Sequence, residues 1–399
     1  MKYSIPNIYC ILIFAIATFS CSEEAFELGD SFSKIYDHSN GDWSFSPVDV
    51  APLGEGYIIL TEKNVASSDF GGVSIYVIDE NGNFLQEIDL SAEYVLPTGP
   101  LAVVNEVAYF FAMEPVTLNT VMLSITPGED YIVSPIPISS TISFPLAANS
   151  ISNDQFILLS YNSVDLLSTV SIIGIDGSVT QSIGYSIGPG SDVEAAIVNH
   201  YTDPERYGLP FFCGEYTTGN YYFNGFYNYS LSMVFTNLSD TPTGVVQGQG
   251  TNGGIGAALP IGGSDFSIIG YQFNDTFLNA NATLSTNDIS SSIDHFTSPL
   301  SEFRARTKAS LETWSNGSDV GIFIGAETEA RQIAIYGYST SGQLKSIQRI
   351  GYVNPYTLSS IQTDEDGSLL VLGTTFVSGR FERIFLQKFN EKTVSDWLN

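Results

Sequence analysis

A short polar turn followed by four to six mostly apolar residues recurs along this chain, and its spacing limits the fold more than any other feature. The clearest copies are Gly54-Glu55-Gly56 before Tyr57-Ile58-Ile59-Leu60, and Asp366-Gly367 before Ser368 to Gly373. Asn153-Asp154 precedes Gln155 to Leu159, Ser264-Asp265 precedes Phe266 to Gly270, and Ser318-Asp319 precedes Val320 to Gly325. Weaker copies are Asn105-Glu106 before Val107 to Phe111, and Tyr207-Gly208 before Leu209 to Cys213. The runs begin near residues 57, 107, 155, 209, 266, 320 and 368, seven starts spaced 48 to 57 residues apart.

These runs read as strands. Val, Ile, Tyr, Phe and Thr dominate them, Gly, Asn, Asp, Ser and Pro separate them, and no long stretch carries a 3.6-residue apolar period. Each run is followed by a second strand, and often by a tight turn into a third. Val73 to Ile78 turns at Asp79-Glu80-Asn81-Gly82 into Phe84 to Leu90, Ser171 to Ile175 turns at Asp176-Gly177 into Val179 to Ile183, and Gln332 to Tyr338 turns at Ser341-Gly342 into Leu344 to Ile350. Glycine supplies the positive φ that such turns require. A repeat of this length holding about four strands is the signature of a β-propeller blade. Apolar runs without alternation suit strands covered on both faces. The expected fold is therefore all-β, a single seven-bladed β-propeller over residues 31–399, with six or eight blades as alternatives. A β-sandwich pair would lack an equal period, and a β-helix would show a shorter one. The last repeat ends at Arg383 to Phe389 with little chain left, and Ser31 to Tyr36 offers an outer strand that would close the ring and leave few sheet edges.

The first residues concern destination. Lys2, the apolar run Ile8 to Ala17 and the small-residue site ending at Ser20 make an export signal over residues 1–20, too short to span a bilayer comfortably. Cys21 follows directly, and Thr18-Phe19-Ser20-Cys21 resembles the lipobox of bacterial lipoproteins, with Thr18 where an aliphatic residue is usual. Ser22-Glu23-Glu24 resembles the acidic export tag of Bacteroidota surface lipoproteins. The resemblance implies acylation (palmitate among the chains) at Cys21, a lipidated linker over residues 21–30 and a surface-exposed place on the bacterial outer membrane. The alternative is a cleaved secretory signal with an incidental cysteine. With 43 acidic and 14 basic residues, the chain carries a formal charge of −29, which repels nucleic acid and anionic headgroups. Membrane attachment is thus expected through the lipid alone. Cys213 is the one cysteine left beyond Cys10 and Cys21; in an apolar stretch with nothing basic adjoining, it reads as a buried, inert thiol.

The last repeat, Asp366-Gly367-Ser368-Leu369-Leu370-Val371-Leu372-Gly373-Thr374-Thr375 followed by Ile384 to Phe389, resembles a blade repeat common in secreted and surface proteins of the Bacteroidota. That family reads Asp-Gly-Gly, an aromatic, aliphatics, Gly-Thr-Thr and a Lys-containing closing strand. The copy at 54–90 matches in part and the middle copies diverge. The resemblance implies a propeller and carries no catalytic residues across.

No nucleophile elbow, phosphate loop or zinc-helix motif is present, and His38, His200 and His295 lie in separate repeats. No metal or cofactor is expected. Asp79-Glu80-Asn81-Gly82 and Asp364-Glu365-Asp366-Gly367 resemble fragments of calcium loops, but both stand where a turn is needed. Residues 200–229 are rich in aromatics beside amides, and Tyr216, Tyr221, Tyr222, Tyr227 and Tyr229 are candidates for a ligand platform; ordinary packing between sheets is the alternative. Glu302 to Lys308 gathers three of the few cations, so Arg304 and Arg306 are candidates to hold a carboxylate or a partner. The expected function is non-enzymatic binding of a glycan, peptide or envelope protein, and the resemblance implies service to an outer-membrane nutrient importer. The alternatives are a carbohydrate-active enzyme using loop carboxylates at the funnel, and a structural or adhesive envelope component.

Overall fold

A computed structural model describes residues 31–37, 43–64, 70–152, 154–202, 208–317, 319–376 and 381–399. The expected export signal over residues 1–20, Cys21, the expected linker to residue 30, His38 and the polar residues 203–207 lie outside the described residues. The fold is all-β, built from antiparallel sheets in chain order. After β1 (Phe32–Tyr36) come β2 (Ser44–Leu53), β3 (Gly56–Asn64), β4 (Gly72–Asp79) and β5 (Phe84–Asp89) as one meander. β6 (Val95–Val104), β7 (Val107–Met113), β8 (Thr120–Thr126) and β9 (Ile132–Ile136) form the next, joined to the first by the single pair Gly72 and Val95. β10 (Pro145–Ile151), β11 (Gln155–Asn162), β12 (Leu167–Gly174) and β13 (Val179–Ser186) follow.

Then come β14 (Phe212–Thr217), β15 (Asn220–Tyr227), β16 (Ser230–Thr236) and β17 (Gly244–Gln247), and after them β18 (Gly253–Gly262), β19 (Asp265–Gln272) and β20 (Asp275–Thr283). A short strand, β21 (Ile289–Ser291), returns to pair in parallel with β17. β22 (Ala309–Asn316), β23 (Asp319–Glu327), β24 (Ile333–Ser339) and β25 (Leu344–Ile350) make a further meander. The last sheet is β26 (Tyr356–Thr363), β27 (Leu369–Thr375) and β28 (Arg383–Phe389), with β1 antiparallel on β28, Phe32 opposite Lys388 and Tyr36 opposite Ile384.

Each sheet is covered on both faces, so the apolar residues fall into clusters between sheets. One cluster joins Leu53, Ile58 and Ile75 to Leu101, Phe110 and Leu123; the next joins Phe111 and Met122 to Phe156 and Leu158. The series continues sheet by sheet until Tyr57, Ile59 and Tyr76 of the first meander pack on Leu370, Leu372 and Leu386 of the last. Ile58, Ile59, Leu60, Leu370 and Leu372 are fully buried, each stabilising the fold by roughly 1.5–3 kcal/mol relative to exposure.

Two sequence expectations are corrected. The run beginning at Leu209 is out of phase with the others. Its strand, β14, is the first of its sheet, whereas the runs at 57, 107, 155, 266, 320 and 368 are second strands; the equivalent strand there is β15. The displacement comes from an unanticipated helix, Ser191–Thr202, between β13 and β14. Val193, Ile197 and Tyr201, four residues apart, bury one face of it against β10 to β16. The loop expected from His200 onward therefore starts inside this helix. A second helix, Glu391–Leu398, ends the chain, with the Asn390 side chain accepting from the Thr393 N–H as its cap.

The acidic turns serve as turns. Asp79 accepts from the backbone N–H of Asn81 and Asn83, and Asp366 from that of Ser368 at 2.8 Å. The second turn also reaches the closing strand. Lys388 donates to Asp366 at 3.0 Å and to the Tyr57 hydroxyl at 2.7 Å, and that hydroxyl donates to Asp364 at 2.7 Å. Burial alone would lower the Lys388 pKa, but these bonds hold it above the ordinary lysine range, so it is charged at neutral pH. Lys388→Met leaves Asp364 enclosed without its cation. In urea denaturation at neutral pH it should lower stability by ~3 kcal/mol, and Asp366→Asn by less, because Asp366 is half exposed. A loss below ~1 kcal/mol for Lys388→Met would show that the network does not hold the first and last sheets together.

Candidate functional site

The first strand of each meander faces inward. β2, β6, β10, β14, β18, β22 and β26 touch one another in succession, β26 also touches β2, and all contribute lining to one cavity of about 1140 Å3. Side chains bind these strands across the gaps between sheets. Asp49 on β2 accepts from the Leu101 N–H of β6 and the Gln362 amide of β26, both at 2.9 Å. Ser310 and Glu312 on β22 accept from the N–H groups of Ile361 and Thr363 on β26. Asn149 donates to the Cys213 carbonyl, joining β10 to β14.

The helix Ser191–Thr202 adds Asp192, Ala196 and Asn199 to the cavity wall, and the connection before β22 adds Arg304, Arg306 and Lys308. Arg304 is held by Glu327 at 3.2 Å, which also binds Arg331. Arg306 donates to Asn252 and lies over the Tyr271 ring, 5.8 Å from its centroid. Lys308 is exposed to the cavity yet surrounded by protein. Desolvation lowers its pKa against the pull of Asp49 and Glu62, and its ammonium makes no hydrogen bond among the described residues.

Asp49, Glu62 and Glu312, at or near the cavity, accept from internal donors. Burial raises the pKa of Asp49 against the donation of Gln362 and Leu101. Burial likewise raises Glu62 against the Gly71 N–H and Lys308. Glu312 is pushed up to about 7, by burial first, with the Thr363 N–H opposing and the charge of Asp49 adding.

The structure separates the tyrosine candidates from the arginines. Tyr221 and Tyr222 are adjacent on β15, so they enter opposite clusters; both are buried. Tyr222 lies edge-on to Phe266 at 5.6 Å, and Tyr216 packs on Phe235 and Phe266. Tyr227 meets Tyr185 edge-on, and Tyr229, half exposed, rests where a side chain at Gly188 would clash. Tyr216, Tyr221, Tyr222 and Tyr227 pack in the clusters between sheets, Tyr229 lies at the surface, and the five do not form one face. Arg304 and Arg306, by contrast, share the cavity wall. The sequence signal for them was the run of cations. The partners from β2, β6 and β26 carried no local signal, because they meet only through the fold. His200 Nδ1 accepts from the Leu209 N–H at 2.9 Å, and burial lowers its pKa to about 4, so it is a neutral structural group. His295 bonds Ser290. Cys213 is buried with its thiol pushed up to about 12.

No family model matches the chain, and no curated protein matches it. Among solved structures it is similar to the β-propeller domain of the Trilobed protease from Pyrococcus furiosus, at 8% identity over 86% of this chain and 95% of that one, with a TM-score of 0.47. It is also similar to a glucose dehydrogenase (10% identity, 89% and 98% covered, TM-score 0.41) and to the fucose-specific lectin from Aleuria aurantia (13%, 70% and 91%, 0.39). Likeness at this level says nothing about activity.

Glu312 keeps its proton in the folded protein to a higher pH than in the unfolded chain. Its contribution to stability is therefore complete below about pH 4.5 and is lost as pH rises through about 7. Glu312→Gln keeps the acceptor for Thr363 and removes the titration. Between pH 5 and 8 the wild type should lose on the order of 2 kcal/mol relative to this variant, measured by urea denaturation. Parallel pH profiles would contradict the assignment.

Proposed function

We propose that this chain is a seven-bladed β-propeller, closed by β1, that binds a glycan, peptide or envelope protein in its central funnel without carrying out chemistry. The cavity lined by every inner strand is the observation that carries this reading. Blade count and closure draw support from the cycle of inner-strand contacts, from the apolar cluster between the first and last meanders and from the β1–β28 pairing. Binding is favoured over glycoside hydrolysis because Asp49, Glu62 and Glu327 are tied to internal donors, whereas paired catalytic carboxylates must face a substrate. Lys308, Arg306 and Asn199 are polar groups on the cavity wall available to a ligand.

The export-signal residues and Cys21 support an acylated, membrane-anchored protein, and their resemblance to surface lipoproteins implies a surface-exposed place on the outer membrane and service to a nutrient importer. Residues 22–399, screened against glycans and peptides, should yield a ligand whose affinity falls about tenfold or more in Arg306→Ala and Lys308→Ala. Unchanged melting in both variants would assign the loss to the funnel. Finding no ligand, or binding indifferent to both changes, would overturn the funnel reading, and a free thiol at Cys21 in the mass of the natural protein would overturn the anchor.

A further inference from the structure

A second concavity, of about 620 Å3, lies away from the funnel, between β25 and the β28–β1 edge of the last sheet. Its lining combines flat rings with amides. The C-terminal helix contributes Trp397, held edge-on by Phe389 at 4.7 Å and by Phe323 at 6.1 Å. Tyr356 is fixed edge-on to Phe385 at 4.9 Å. Between β25 and β26, Tyr352 is 94% exposed.

The loop bearing Tyr352 is anchored at both ends. Gln332 donates its side-chain amide to the Gly351 carbonyl, and the Tyr356 N–H donates to the Arg331 carbonyl at 2.9 Å. Gly351 has φ +95°, and a Cβ there would come within 2.6 Å of the Tyr356 ring, so glycine is required for the ring to lie against the loop. The amides of Gln348 and Gln387 make no side-chain hydrogen bond among the described residues, although both line the groove. Arg349 stands beside them with its guanidinium oriented by Glu302 at 2.7 Å.

We propose that this groove is a saccharide-binding site separate from the funnel. A pyranose presents an apolar C–H face and a rim of hydroxyls. Trp397 and Tyr356, held by their neighbours, offer the first a flat surface at little entropic cost, and the exposed Tyr352 ring extends it. Uncommitted amides, each donor and acceptor, match the second. Ile350 is the sole aliphatic side chain among the lining residues and is itself buried, so rings and amides are what the groove presents.

The test uses residues 22–399 on an array of immobilised xylo-, manno- and galacturono-oligosaccharides beside a hexapeptide library. At least one oligosaccharide should bind. Its affinity should drop about tenfold in Tyr352→Ala and in Gln387→Ala, with melting temperature unchanged for Tyr352→Ala, whose side chain packs on nothing it would disturb. Arg306→Ala, in the funnel, should leave that affinity intact, so failure of the funnel reading and failure of this one are told apart. Absence of saccharide binding would overturn the proposal. So would saccharide binding that only Arg306→Ala removes, or peptide capture that depends on Tyr352 without any saccharide competing for it.

Discussion

None of these sheets has a dry face and a wet face; each buries both. Strands such as β3, with Tyr57 to Leu60 almost wholly buried, cannot end a stack, because the outermost sheet of any open stack would leave one apolar face in water. The favourable burial is complete only when the last sheet meets the first. Tyr57, Ile59 and Tyr76 against Leu370, Leu372 and Leu386 are that meeting, and β1, brought from the start of the described chain to the edge of β28, adds backbone pairing to it. A buried polar network of Tyr57, Asp364 and Lys388 fixes how the two sheets align, since an uncompensated charge there would be costly. The cavity fits the same constraint, because it is lined by the first strands of the meanders, which touch one another in succession.

Much of this was legible in the residues. The apolar runs and the Gly-containing turns at Gly82, Gly177 and Gly342 located hairpins that the fold contains, and Ser31 to Tyr36 stood out as a strand short of a partner. The Asp-Gly turn and the Lys of the closing strand, seen in sequence only as a resemblance, are joined physically as the Asp366–Lys388 ion pair. The fourth repeat was misphased because Leu209 to Cys213 is as apolar as a second strand while lying at the inner edge of its sheet. The helix Ser191–Thr202 escaped notice because only Val193, Ile197 and Tyr201 mark its buried face, too few to stand out beside Asp192, Asn199 and His200. The cavity wall was invisible for a different reason: Asp49, Leu101 and Gln362 converge from distant parts of the chain.

Function follows from which polar groups the fold leaves uncommitted. Asp49 and Glu312 accept hydrogen bonds that bind one inner strand to the next, so they serve the architecture. The aromatic-rich segment around β15 serves it too, filling the gaps on both sides of its sheet. On the proposed reading, ligands meet the cationic stretch of the cavity wall, where Lys308 makes no hydrogen bond among the described residues, and the ring-and-amide groove beside Tyr352. Arg304 on the first and Trp397 on the second are held by their neighbours, so little ordering of these groups would be needed on binding.

Amide hydrogen exchange across β1 tests the central claim most directly. If the first and last sheets close one cooperative structure, Phe32 to Tyr36 should exchange as slowly as their partners in β28, through unfolding of the whole. Exchange of β1 within seconds while β28 stays protected would contradict a ring closed by that strand.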